Sequence, residues 1–252
     1  MSHYIELKEV SKIYNENRPN AFTALKDISL EIEKNEFVSI MGKSGSGKST
    51  LINILSGSLS ATSGQVLIDQ TSIQDLDDET LSKFVKEKIG YVYQENSMLD
   101  TLTIMENILL KVEVDKKNQK EWIKRVHALA KELDIDAILN FYPYECSSGQ
   151  VKRAAIIQTL LSHPLFVIGD EPTGNLDRQS AKQVMSYLQK LNQLDTTILL
   201  VTHDPLIASY SDKVYFLDEG KLVHQIKNNH NQKDFYEQIV EYVSRGDHYE
   251  SI

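Results

Sequence analysis

Eight consecutive residues, Gly42-Lys43-Ser44-Gly45-Ser46-Gly47-Lys48-Ser49, fit the pattern GxxxxGK(S/T), and that pattern is suited to holding a polyphosphate. Glycine lets the backbone take φ > 0, so successive N–H groups can turn toward one anion. A helix starting behind the loop adds the positive end of its dipole. Lys48 is placed to reach β- and γ-phosphates. Ser49, followed by Thr50, offers a hydroxyl to Mg²⁺, a hard cation that takes oxygen ligands. A second candidate lies far down the chain, where the apolar run Leu165, Phe166, Val167, Ile168 leads into Asp170-Glu171. Two carboxylates at the end of a buried strand can divide the labour, Asp170 joining the Mg²⁺ shell and Glu171 polarising the attacking water. Binding and hydrolysis of a nucleoside triphosphate is the chemistry these groups imply.

Such a loop works only between a strand and a helix, and its flanks read that way. Residues 37–41 are apolar apart from Ser39, and 50–55 read as helical. Ile5 and Leu7, then Ile28, Leu30 and Ile32, alternate as half-buried strands do, while 64–68 and 89–93 read as further strands. From Gln94 to about 162 the pattern turns helical: Thr103 with Glu106 is a capping-box signature, and Trp122, Val126, Leu129, Ala130 and Leu133 form one apolar stripe. Strand and helix then alternate again, with a strand at 165–168, a helix carrying Ala181, Val184, Leu188 and Leu191 on one face, and a strand at 197–201. Asp218-Glu219-Gly220-Lys221 is a turn between strands at 214–217 and 222–226, and Phe235, Ile239, Tyr242 and Val243 recur at helical spacing in the tail. This alternation predicts a layered α/β fold.

The composition narrows the field. Across 252 residues, 27 Lys+Arg against 36 Asp+Glu give a net charge of −9 with no basic stripe, so nucleic acid is not an expected ligand. One cysteine excludes an intramolecular disulfide, no Cys/His cluster has zinc spacing, and a reducing compartment is expected. No apolar run approaches the roughly 20 residues of a membrane-spanning helix. The opening MSHYIELKEV lacks the apolar segment of a secretory signal, so a cytoplasmic location is expected.

Taken together, six motifs resemble the ATP-binding subunits of ABC transporters, and the likeness runs from about Tyr4 to Ile226. Besides the phosphate loop they are Gln94 in YVYQENSML, CSSGQVKR at 146–153, Asp170-Glu171 and Asp177 in DEPTGNLD, and His203 in VTHD. The resemblance implies a phosphate-loop NTPase core with an antiparallel β subdomain and an inserted α-helical subdomain. The whole is one domain over 1–252: core at 1–93 and 163–226, helical signature subdomain at 94–162, helical tail at 227–252. It also implies ATP and Mg²⁺ as ligands, with Ser49, Gln94 and Asp170 around the metal and Lys48, Glu171 and His203 as the catalytic set. Tyr14 aligns with the family's adenine-stacking aromatic. Ser147, Ser148, Gly149 and Gln150 align with the family's LSGGQ signature, which faces the γ-phosphate held by a second subunit; here Cys146 replaces its Leu and Ser148 its first Gly. Alone, CSSGQ reads equally well as a plain helix N-cap.

The resemblance further implies a homodimer in which each copy lends its signature to the other's ATP, with Asp177 at the interface. A separate transmembrane permease would take the stroke through the cleft beside Gln94, placing the chain on the cytoplasmic face of the membrane as a peripheral subunit. The combination LINILSG, TSGQVLID, DEPTGNLD and VTHD looks like the bacterial branch serving macrolide efflux, lipoprotein release, antimicrobial-peptide resistance and cell division. An exporter of peptide antibiotics is the expected role within it. Two other classes compete: a soluble ABC ATPase of DNA or ribosomes, and a regulatory module whose hydrolysis is impaired by Ser148.

Overall fold

In the computed structural model, which describes residues 4–93, 98–112, 118–174 and 176–246, the chain opens with two long antiparallel strands. β1 (Ile5–Tyr14) and β2 (Phe22–Ile32) pair from Ile5↔Ile32 to Tyr14↔Phe22. The alternation of Ile5 and Leu7 shows only the first half of β1. A register shift follows between Leu7 and Val10, where Glu9 takes a φ of 50°, and the shift moves the inward set of side chains. Tyr14 is the last residue of β1.

β3 (Phe37–Met41) is buried at every position and runs through the phosphate loop into α1 (Lys48–Leu55). β4 (Ser63–Ile68) and the short β5 (Thr71–Ser72) complete the antiparallel sheet, in the order β2-β1-β4-β5. α2 (Asp78–Lys88) and β6 (Ile89–Val92) follow. Between β6 and β7 the described residues carry α3 (Ile104–Leu109), α4 (Gln119–Glu132) and α5 (Ser148–Leu160). The chain returns through β7 (Phe166–Asp170), α6 (Arg178–Gln193), β8 (Thr197–Thr202) and α7 (Pro205–Ala208). It ends in β9 (Lys213–Asp218), β10 (Lys221–Lys227) and α8 (Gln232–Gly246).

The second sheet has the order β10-β9-β3-β8-β7-β6, parallel throughout except for β10 at its edge. Its register fixes the site. Met41 pairs with Thr202 and Asp170 with Val201, so β3, β7 and β8 end side by side and release the phosphate loop, Asp170-Glu171 and His203 at one edge. Ligands of open parallel sheets gather at such carboxyl ends.

Val38 and Ile40 face one core cluster with Leu30, Leu51 and Leu55; Phe37 faces another with Ile157, Leu188 and Leu200. A third joins Phe235 and Ile239 of α8 to Met41, Val214 and Phe216, and each of those two buried side chains contributes about 1.5–3 kcal/mol. The Thr103–Glu106 capping box forms, with the Thr103 N–H donating to Glu106 Oε2 at 2.8 Å. α2 was not expected. All its residues are exposed or half-buried, so it shows no deep apolar stripe; its signals are the Asp77 cap, Asp78 and Glu79 in the first turn, and Lys86 and Lys88 in the last.

Candidate active site

The loop from β3 to α1 closes against the β9–β10 turn. A Cβ on Gly42 would stand 2.2 Å from the Leu217 carbonyl oxygen, so the first glycine is required by close approach. Gly47, the N-cap of α1, has φ 107°, a conformation that L side chains rarely adopt. The Lys48 ammonium arches back over the loop and donates to the carbonyls of Gly42 and Lys43, each at 2.7 Å. Burial lowers its pKa, while Glu171 and Asp170 act in the opposite direction. Ser49 and Thr50 sit in the first turn of α1, and the Tyr14 hydroxyl lies 3.4 Å from Thr50 Oγ1. A cavity of about 480 Å³ is lined by Tyr14, Phe22, Ser44, Gly45, Lys48 and Thr50 among others.

The two carboxylates differ in surroundings. Asp170 is half-buried, and burial followed by the charge of Glu171 raises its pKa; Lys48, a hydrogen bond from Tyr91 and the charge of Lys152 pull the other way. Glu171 takes a φ of 44°, left-handed backbone held by its N–H donating to the Val201 carbonyl at 2.9 Å. Strained backbone of this kind costs on the order of 1–3 kcal/mol and persists where surroundings over-determine it. Its carboxylate is fixed twice: Oε1 lies 2.7 Å from His203 Nδ1, and Oε2 accepts from the Thr202 hydroxyl at 3.2 Å. His203 is thus brought onto Glu171 itself.

The donor set suits a magnesium ion accompanying a triphosphate. Asp170 is a carboxylate whose charged form is disfavoured by burial and by a like charge next door, and Ser49 adds a hydroxyl. Such an ion takes one or two protein oxygens plus phosphates.

The signature residues make their contacts elsewhere. Ser147 is the N-cap of α5: its Oγ accepts from the Gln150 N–H at 3.3 Å, and Gln150 Oε1 accepts from the Ser147 N–H at 2.8 Å. The capping box therefore occupies both side chains. Ser148 is the first helical residue, outside the left-handed region, so it carries no backbone strain. Gly149 packs on α6, where a Cβ would stand 2.7 Å from Ser180 Oγ. Asp177 caps α6, accepting from the N–H groups of Gln179 and Ser180 and from Ser180 Oγ at 2.5 Å, and these bonds lower its pKa. Gln94 lies outside the described residues.

Several residues at the site are ones to which the motifs assign no role. Tyr91 bonds Asp170, and burial raises its pKa. Lys152, buried to 2% exposure in α5, donates to the Tyr93 carbonyl and carries a pKa lowered by burial to about 8. Thr159 donates to the Tyr91 carbonyl at 2.9 Å, so α5 braces β6 and the residue that follows it. Phe22 lines the cavity opposite Tyr14. Strand alternation from Ile89 could have pointed to Tyr91 turning with the odd positions; nothing local marks a buried lysine.

The fold and these groups define a phosphate-loop ATPase. The profile of the ABC transporter family matches residues 25–174, more than half of the chain, and the chain belongs to that family as an ATP-binding, ATP-hydrolysing subunit. It is 41% identical over 245 residues to the ABC transporter ATP-binding protein YxdL of Bacillus subtilis, covering 97% of this chain and 95% of that one. It is 39% identical over 238 residues to the bacitracin export ATP-binding protein BceA of Halalkalibacterium halodurans, covering 94% of each. Among solved structures it resembles the dimeric post-hydrolysis state of the cassette MJ0796 bound to ADP and Pi, with a TM-score of 0.80, 35% identity, and coverage of 88% of this chain and 98% of that one. Among the described residues no helix is long and apolar enough to cross a membrane.

Proposed function

We propose that this chain is the ATPase of a bacterial exporter for peptide antibiotics, working as a homodimer on a separate transmembrane permease at the cytoplasmic face of the membrane. The convergence of Lys48, Asp170 and the Glu171–His203 pair at the ends of β3, β7 and β8 carries the catalytic part of this reading. The likeness to a bacitracin export ATP-binding protein supports the export role. The dimeric MJ0796 cassette supports the assembly.

In this reading residues 42–50 cradle the phosphates and Lys48 leaves its two carbonyl partners for the β- and γ-phosphate oxygens. Ser49, Asp170 and Gln94 hold Mg²⁺, which neutralises phosphate charge when bound. Glu171 accepts a hydrogen bond from the attacking water and takes up its proton, while Thr202 and His203 hold the carboxylate in place. To bridge Glu171 and the γ-phosphate, which both accept, His203 would donate from Nδ1 and from Nε2. Ser147, Ser148, Gly149 and Gln150 present the α5 N-terminus to the partner's γ-phosphate, and Asp177, by capping α6, keeps that turn aligned. ATP joins the two copies, and hydrolysis removes the bridge. The helical segment 94–162 passes the motion to the permease.

Affinity isolation of the native complex from membranes, with the tag on this chain, tests the transport role. A stoichiometric polytopic permease is the expected companion. Recovery only with ribosomes or DNA would contradict it.

A further inference from the structure

Phe22 is 60% exposed and lies in none of the three core clusters, so most of its ring gains nothing from burial in the protein itself. It is the direct cross-strand partner of Tyr14 at the end of the β1–β2 ladder, and directly opposed residues project from the same face of a sheet. Both rings line the same cavity of about 480 Å³ as Ser44, Gly45, Lys48 and Thr50 of the phosphate loop. Tyr14 is held in place there, by its hydroxyl at 3.4 Å from Thr50 Oγ1 and by Lys12, whose ammonium stands 5.5 Å from the ring centroid and donates to the Ser60 carbonyl at 2.7 Å. Phe22 is thus an exposed apolar ring beside an anchored one, in a cavity lined by the phosphate loop and by neither carboxylate.

We propose that Phe22 is a second base-binding ring, forming with Tyr14 a two-ring platform for the purine of the nucleotide whose phosphates occupy residues 42–49. The inference rests on the ATP site assigned above and adds a residue that no motif marks. Ring faces attract any base, more strongly the larger its π surface, and carry no hydrogen-bond code. The platform therefore sets how tightly a nucleotide is held before the partner subunit closes, and favours purines over pyrimidines by area.

Titration calorimetry on the full chain, without magnesium so that nothing is hydrolysed, tests this with ATP, CTP and tripolyphosphate. Phe22→Ala is expected to bind ATP about five- to tenfold more weakly, CTP with a smaller loss, and tripolyphosphate unchanged, with Phe22→Trp restoring ATP affinity. Thermal melts of the variants matching wild type exclude misfolding. ATP affinity within about twofold of wild type in Phe22→Ala, while Tyr14→Ala is weakened, overturns the two-ring platform and leaves the ATP site standing. Equal losses for ATP and tripolyphosphate overturn it also, since the loop and not the base would be affected. Failure of the wild type to bind any of the three ligands overturns the site assignment itself.

Discussion

The catalytic cluster and the signature turn are both built from short polar segments at element ends, yet their polar atoms are committed differently. At the cluster, groups from β3, β7 and β8 reach one another: Lys48 feels both carboxylates, and Glu171 is gripped by Thr202 and His203. At the signature, Ser147 and Gln150 satisfy each other and Gly149 rests on α6. The first arrangement is assembled for chemistry within one chain. The second is a pre-capped helix start whose polar side chains bond within the turn, an arrangement compatible with the proposed lending of this turn to another subunit.

The largest separation between the two regions is expected from Glu171→Gln. Losing the carboxylate base lowers kcat by about 10²–10⁴-fold with ATP affinity retained, read by steady-state turnover and by calorimetry. Equal losses in turnover and binding would mean that Glu171 serves the fold and not the reaction.

The footing of the catalytic cluster can be broken separately. Glu36, just before β3, pairs with Lys213 at 2.7 Å in a largely buried ion pair. Burial alone would lower the lysine pKa, but the hydrogen bond and charge of Glu36, with Tyr215, raise it above its ordinary 10.5. A raised lysine pKa means that the folded state binds the proton more tightly, so the stabilisation is full below pH 10.5 and is lost as pH rises through the raised value. Glu36→Gln is expected to cost about 2–3 kcal/mol in denaturant titrations at neutral pH. The gap to wild type should close above that pH. A gap independent of pH would remove the ion pair as its cause.

A smaller effect is expected at the signature. In Gly149→Ala the new methyl meets Ser180 Oγ, and displacing the turn lowers turnover about tenfold while nucleotide affinity of the single chain is unchanged. Adding Ser180→Gly should restore part of the loss. Mixing Gly149→Ala with Lys48→Ala should yield more turnover than either alone, because one composite site per mixed dimer is then intact. The smallest change is expected for Ser148→Gly: with helical backbone at 148, steady-state turnover should move by less than about threefold. Turnover appearing only in Ser148→Gly would support the regulatory module instead.

Much of this was legible beforehand. β3 was read to its ends because five apolar or small residues precede a glycine loop, and the Thr103 cap because its partner is local. α5 escaped a stripe reading because it is buried around its circumference, with Lys152, Arg153 and Thr159 inside, so no single face stands out. Asp170, Glu171 and His203 were legible as candidates because each stands at or just past the end of an apolar strand, and Lys48 because it closes a glycine-rich loop. Their grip on one another was not, since the Glu171–His203 bond depends on strand register and on the φ of Glu171. Tyr14 was found by its resemblance, but its neighbour Phe22 became visible only through the ladder Tyr14↔Phe22.

The central claim is that ATP is enclosed by two copies, the phosphate loop of one and the signature of the other. The structure of the Glu171→Gln variant with Mg-ATP tests it most directly. A two-fold dimer is expected, with Ser147 and Gly149 of each chain against the γ-phosphate bound at the partner's phosphate loop. A γ-phosphate closed off within a single chain, with residues 147–150 turned to solvent, would contradict it.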